Sequence, residues 1–128
     1  MFKKTKQVTD INQQEISTII GDGFILTGEI SGKSVIRIDG RITGNVKVAS
    51  GVILGEKGFI VGDIETASAI LYGTVNGNVK AQQLEIKKTG RVNGDIKTET
   101  LEIEMGAQYN GKLEMKQLIK AEEKMAEH

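Results

Sequence analysis

Apolar residues in the middle of the chain come in short runs and at every second position. The runs are Val35-Ile36-Arg37-Ile38, Val52-Ile53-Leu54, Ala69-Ile70-Leu71, Leu84-Glu85-Ile86 and Leu101-Glu102-Ile103. Alternation of period two, as at Leu84 and Ile86 or Val46 and Val48, belongs to strands with one buried face. No ten-residue window between residues 21 and 115 holds a helical 3.6-residue rhythm, and the glycines threaded through the segment would each cost a helix about 1 kcal/mol. The pattern predicts short strands throughout.

The strands are punctuated by a recurring word, Gly-x-aliphatic: Gly28-Glu29-Ile30, Gly44-Asn45-Val46, Gly62-Asp63-Ile64, Gly77-Asn78-Val79, Gly94-Asp95-Ile96 and Gly111-Lys112-Leu113. Successive glycines of the word are 16, 18, 15, 17 and 17 residues apart. Four copies extend upstream to Gly-x-h-x-Gly-x-h, where h is apolar, beginning at Gly40, Gly58, Gly73 and Gly90. The outermost copies carry Phe24 and Ala107 in place of that first glycine, and terminal repeats of a solenoid usually depart from the consensus.

A unit of about 17 residues holds about three strands and cannot bury its own apolar face. Stacked units can, which predicts an all-β, single-domain, three-sided parallel β-helix of about six coils with an aliphatic interior. At about 4.8 Å per parallel strand the rod is roughly 30 Å long. A β-sandwich with evenly spaced turns is the competing architecture, but it has no need of one glycine word used six times. The expected organisation is a tail over residues 1–16, the solenoid over 17–115, and a C-terminal tail over 116–128, disordered or a short helix. In that last tail Lys116, Lys120 and Lys124 repel at helical spacing.

Composition narrows the function. The 128 residues include no Cys, Pro or Trp, which removes disulfide scaffolds and Cys-based zinc sites. Only 4% of residues are aromatic, in keeping with a narrow aliphatic interior. Seventeen basic residues balance 17 acidic ones, so the chain lacks the positive field of a nucleic-acid binder. No apolar stretch reaches the roughly 18 residues of a membrane span, and the N-terminus has no export-signal core, so the expected location is the cytoplasm.

The run Ser17-Thr18-Ile19-Ile20-Gly21-Asp22-Gly23, followed by Ile36-Arg37-Ile38-Asp39-Gly40-Arg41-Ile42-Thr43-Gly44-Asn45-Val46, resembles the bactofilins. The likeness covers about residues 17–115. It implies a right-handed β-helix that polymerises end to end, without nucleotide or other cofactor, into non-polar cytoskeletal filaments. By the same likeness these filaments lie on the inner face of the cell membrane and position cell-wall synthesis or remodelling proteins, contributing to cell shape.

The residues suggest how. The ends of a β-helix expose unpaired backbone groups and the end of the apolar ladder, and monomeric proteins protect such edges with Pro, charge or a cap. Here the N-terminal end offers Ile19, Ile20, Phe24 and Leu26, and the C-terminal end Tyr109, Leu113 and Met115, with Leu118 and Ile119 beyond. Bactofilins tend to carry an apolar aromatic where Tyr109 stands; its hydroxyl needs a partner if buried. Joining like ends, head to head and tail to tail, gives a filament without polarity. The tip Met1, Phe2, Lys3, Lys4 and Lys6 is similar to the apolar and basic N-terminal segments with which bactofilins touch membranes. Each Lys near an anionic leaflet contributes about 1 kcal/mol, and a filament multiplies a weak tail by avidity.

Other chemistry finds little support. Gly28-Glu29-Ile30-Ser31-Gly32-Lys33-Ser34 has three residues between its glycines where a phosphate-binding loop has four, and a strand follows it rather than a helix. Hexapeptide-repeat acyltransferases need an even six-residue period and a rigid catalytic His, whereas the single His here is His128. Calcium-binding solenoids repeat Asp-bearing turns, while Asp39, Asp63 and Asp95 read as isolated residues on a solvated face. Glu102 with Glu104, or Asp63 with Glu65, share a strand face, a spacing common to solvent-exposed ladders. The remaining alternative is a solenoid that binds partners without polymerising.

Overall fold

The computed structural model describes residues 16–115. Within them are fourteen strands and no helix: β1 (Ile16–Ile20), β2 (Ile25–Thr27), β3 (Ile30–Gly32), β4 (Val35–Ile38), β5 (Arg41–Thr43), β6 (Val46–Leu54), β7 (Phe59–Val61), β8 (Ile64–Leu71), β9 (Thr74–Asn76), β10 (Val79–Ile86), β11 (Arg91–Asn93), β12 (Ile96–Ile103), β13 (Gln108–Asn110) and β14 (Leu113–Met115). Every pairing is parallel. They form an eight-stranded and a six-stranded sheet. The chain is a parallel β-solenoid of about six turns.

Each strand position stacks on its counterpart one turn away, which turns the period-two pattern into ladders of like residues. One inner ladder runs Leu26, Ile42, Ile60, Val75, Val92, Tyr109, another Ile20, Ile38, Leu54, Leu71, Ile86, Ile103. A third runs Ile30, Val46, Ile64, Val79, Ile96, Leu113. Between the ends these side chains are almost wholly buried. Burying a Val, Leu or Ile is worth about 1.5–3 kcal/mol, so the repeated apolar word supplies most of what holds the coils together.

The uneven repeat length has a local cause. The corner from β5 into β6, and its equivalents into β8, β10, β12 and β14, is always two residues, glycine first: 44–45, 62–63, 77–78, 94–95 and 111–112. The corners at 21–24, 55–58, 87–90 and 104–107 have four residues, but those at 39–40 and 72–73 have two. Each four-residue corner is closed by a turn hydrogen bond, such as Gly58 N donating to Gly55 O at 2.8 Å and Gly90 N to Lys87 O at 2.7 Å. The third corner shrinks from 49–50 to the single residues 67, 82 and 99, where the long strands bend without ending. Spacing of 15 to 18 residues therefore coexists with unbroken ladders.

The invariant corner needs glycine for space as well as conformation. At Gly44, φ is +146°, and a Cβ would lie 2.0 Å from the Gly28 carbonyl oxygen in the turn before. Beside it the next residues form a polar ladder. Asn45 Oδ1 accepts from Asp63 N at 3.0 Å, Asp63 Oδ1 from Asn78 N at 2.9 Å, Asn78 Oδ1 from Asp95 N at 2.9 Å, and Asp95 Oδ1 from Lys112 N at 3.1 Å. Asp63 and Asp95 are exposed, as expected, but they are not isolated. Their recurrence follows from the repeat, which stacks one corner amide or carboxylate on the next. Asp39 is held separately, taking two hydrogen bonds from the Arg37 guanidinium at 2.9 and 3.1 Å.

Candidate functional site

The two ends of the stack differ from its middle in backbone and side chain alike. Among the described residues β1, β2 and β3 each pair on one side only, with β4, β5 and β6. At the other end β13 and β14 pair only with β11 and β12, and Thr100–Ile103 of β12 only with β10. Each end thus presents a row of N–H and C=O groups of the kind that templates another strand. The side chains follow suit: every large apolar residue exposed among the described ones, namely Ile19, Phe24, Ile25, Ile103, Met105 and Leu113, lies in the first or last turn.

The N-terminal residues expected at this end divide into two kinds. Ile20 and Leu26 continue the inner ladders and are half-buried against Ile38 and Ile42. Ile19 and Phe24 stand out into solvent, Phe24 at 68% exposure, although its carbonyl is engaged by Arg41 N at 2.9 Å. Ile25 had not been singled out, yet it is 70% exposed. The signal was present in the alternation, since an inward Leu26 forces its neighbour outward.

At the C-terminal end Leu113 ends the ladder above Ile96 and is 42% exposed. Met115 differs from expectation. It continues the inner ladder above Thr98 and is buried, so it fills the core instead of forming an exposed end surface. Met105, on the corner at 104–107, is 95% exposed and was missed, because corner residues carry no periodicity to read. Tyr109 closes the ladder above Val92, half-buried against the core, and its hydroxyl donates to the Lys112 carbonyl. Burial chiefly raises the phenol's pKa above its ordinary value, with a smaller push from the Asp95 charge.

Several of the described carboxylates are engaged by neighbouring backbone or lysines. Glu104 Oε1 accepts from Lys88 N at 2.9 Å, and the Lys87 ammonium lies 2.8 Å from Glu85 and 3.7 Å from Glu104. Hydrogen bonding to Glu85 holds the Lys87 pKa above the usual lysine range. Glu65 lies 3.9 Å from Lys47 on an exposed face. Among the described residues no group of three His, Cys, Asp or Glu side chains is arranged to hold a metal ion, and no helix is long and apolar enough to cross a membrane. Met1, Phe2, Lys3, Lys4, Lys6, Leu118, Ile119 and His128 lie outside the described residues.

Among the described residues, the exposed large apolar side chains thus gather in the first and last turns, beside strands paired on one side only. Residues 18–114 match the bactofilin family model, described as polymer-forming cytoskeletal. The chain belongs to the bactofilin family. Over 72 residues it is 34% identical to bactofilin BacO of Myxococcus xanthus, covering 56% of this chain and 57% of BacO. Over 76 residues it is 27% identical to BacP of the same organism, covering 59% of this chain and 32% of BacP. The chain thus spans less than two thirds of either relative. The structure is similar to that of the Thermus thermophilus bactofilin in double helical filaments, with a TM-score of 0.75, 30% identity, and coverage of 77% of this chain and 99% of that one. It is also similar to the cytoskeletal bactofilin BacA solved by solid-state NMR, with a TM-score of 0.72, 27% identity, and coverage of 79% and 97%.

Proposed function

We propose that the chain is a non-enzymatic scaffold that joins end to end, without nucleotide, into filaments. The observation carrying this reading is that, among the described residues, the large exposed apolar side chains are confined to the first and last turns, beside strand edges paired on one side only. Joining N-terminal end to N-terminal end makes an isologous contact, and so does the C-terminal pairing; alternation of the two extends without limit and has no polarity. The Thermus thermophilus bactofilin forms double helical filaments, which supports filament formation by this chain.

The finer role belongs to the same proposal. The tip Met1-Phe2-Lys3-Lys4-Thr5-Lys6 would attach filaments to the inner face of the membrane, where they position cell-wall proteins and contribute to cell shape. Negative-stain electron microscopy of the nucleotide-free protein tests the assembly: long, thin, unbranched filaments are expected. Discrete particles at concentrations where the protein is folded would favour a non-polymerising adaptor. Liposome co-sedimentation tests the tip. Phe2→Ala with Lys3, Lys4 and Lys6 changed to Gln should leave filaments intact and abolish sedimentation with anionic vesicles.

A further inference from the structure

One flank of the solenoid carries a single row of outward residues, one per turn. Ser31, Lys47, Glu65, Lys80, Lys97 and Glu114 are register partners in succession, and all are exposed. From the second turn to the sixth the charges run plus, minus, plus, plus, minus. Within the row only Lys47 and Glu65 meet as an ion pair, at 3.9 Å; Lys80, Lys97 and Glu114 have no ion pair among the described residues. Lys80 and Lys97 are direct register neighbours, where like charges repel. The other two flanks differ. One has no carboxylate on any of its six short strands, and on the other Arg37 is taken by Asp39.

We propose that this flank pairs with the same flank of a second copy, the two solenoids lying antiparallel about a two-fold axis that runs along the strand of Lys80. Reversed against itself, the row is complementary. Lys47 meets Glu114 of the partner subunit, Glu65 meets Lys97 of the partner subunit, and the reciprocal contacts repeat both. The two rows share one strand spacing of about 4.8 Å, so every contact falls in register. The central Lys80 pair is the one like-charge contact, and Glu65 stands beside it in each copy. A parallel pair about an axis along the rod would set every charge on its like, and a slip of one turn sets Lys47 against Lys97 or Glu65 against Glu114. The contact is isologous and closes as a pair. It uses a flank and neither end, so it stands independently of end-to-end joining.

The chain has no Cys, so a thiol on the two-fold axis reports the pairing. Sheets packed face to face lie about 10 Å apart, too far for a disulfide, and the probe is therefore a short bismaleimide. In the full chain at low salt, Lys80→Cys should cross-link into a covalent dimer, while Arg91→Cys, exposed on the carboxylate-free flank, should not. Adding Glu65→Lys or Lys97→Glu should each cut the dimer yield about fivefold or more, and adding both should restore it to within about twofold, because the exchanged charges again face their opposites. Raising the salt to about 1 M should lower the yield of the starting variant by a similar factor. The proposal is overturned if Lys80→Cys gives no more dimer than Arg91→Cys, if either charge reversal leaves the yield unchanged, or if the double exchange, folded by circular dichroism, fails to recover it. Dimers that persist where electron microscopy shows no filaments support the pairing and count against the end contacts alone.

Discussion

A Cβ placed on Gly77 would stand 1.9 Å from the carbonyl oxygen of Gly62, one turn below, and the backbone there has φ of +155°. Two costs coincide at one residue: a conformation that side chains resist, and a backbone neighbour that cannot move without breaking the ladder. Gly77→Ala should destabilise the solenoid by about 3 kcal/mol or more. Gly32→Ala, whose Cβ would meet nothing within 4 Å, should change stability by less than about 1 kcal/mol. Urea unfolding of both variants, followed by circular dichroism, measures the contrast; equal effects would deny that corner spacing is what demands glycine.

Two threonines in the interior should respond oppositely to the same change. The Thr98 hydroxyl bonds the carbonyl oxygens of Thr100 at 2.8 Å and Gln82 at 3.3 Å, whereas buried Thr66 Oγ1 has no hydrogen-bond partner among the described residues. Thr98→Val should cost about 1 kcal/mol, and Thr66→Val should stabilise by a similar amount. Thermal melts of the pair decide it by sign.

Tyr109 tests the C-terminal end contact. Tyr109→Arg should abolish filaments by electron microscopy while preserving the β-sheet spectrum, because a charge would have to be buried unpaired in the joint. Tyr109→Phe should keep filaments and lose about 1 kcal/mol of stability with the bond to Lys112. Filaments surviving the arginine would remove Tyr109 from the interface.

Alkaline pH should loosen the fold. Lys87 in the folded state titrates above the unfolded value of about 10.4, owing first to its hydrogen bond with Glu85. The extra stability is fully present below that unfolded value and is lost as pH rises through the higher folded one. The raised pKa of Tyr109 acts in the same direction, favouring the neutral phenol in the folded state. Melting temperature should therefore fall from about pH 10 upward, and less steeply in Lys87→Met. That variant should also lose about 0.5 kcal/mol near neutrality.

Strand type, coil number and most of the core were legible in the sequence because the ladders repeat one residue type at one register. Ile42, Ile60, Val75 and Val92 announce each other. The ends were legible in part. Ile20 and Leu26 follow from periodicity, but the exposure of Met105 depends on where a corner points, and the burial of Met115 on the ladder it joins. A small outer cluster escaped notice for a different reason. Val35, Ile53 and Ile70, against which Ile16 and Tyr72 pack, sit within continuous apolar runs, and such a run states that both faces of a strand are covered without naming what lies on the second.

Because two corners of each turn vary in length while the glycine corner and the ladders keep register, the molecule grows only in whole turns. Duplicating one whole repeat of about 17 residues in the gene would lengthen the rod by a single strand spacing, about 4.8 Å, and leave both terminal surfaces unchanged. Size in this protein is thus a count, and a lineage could change the subunit's reach in discrete steps without having to reinvent how one subunit meets the next.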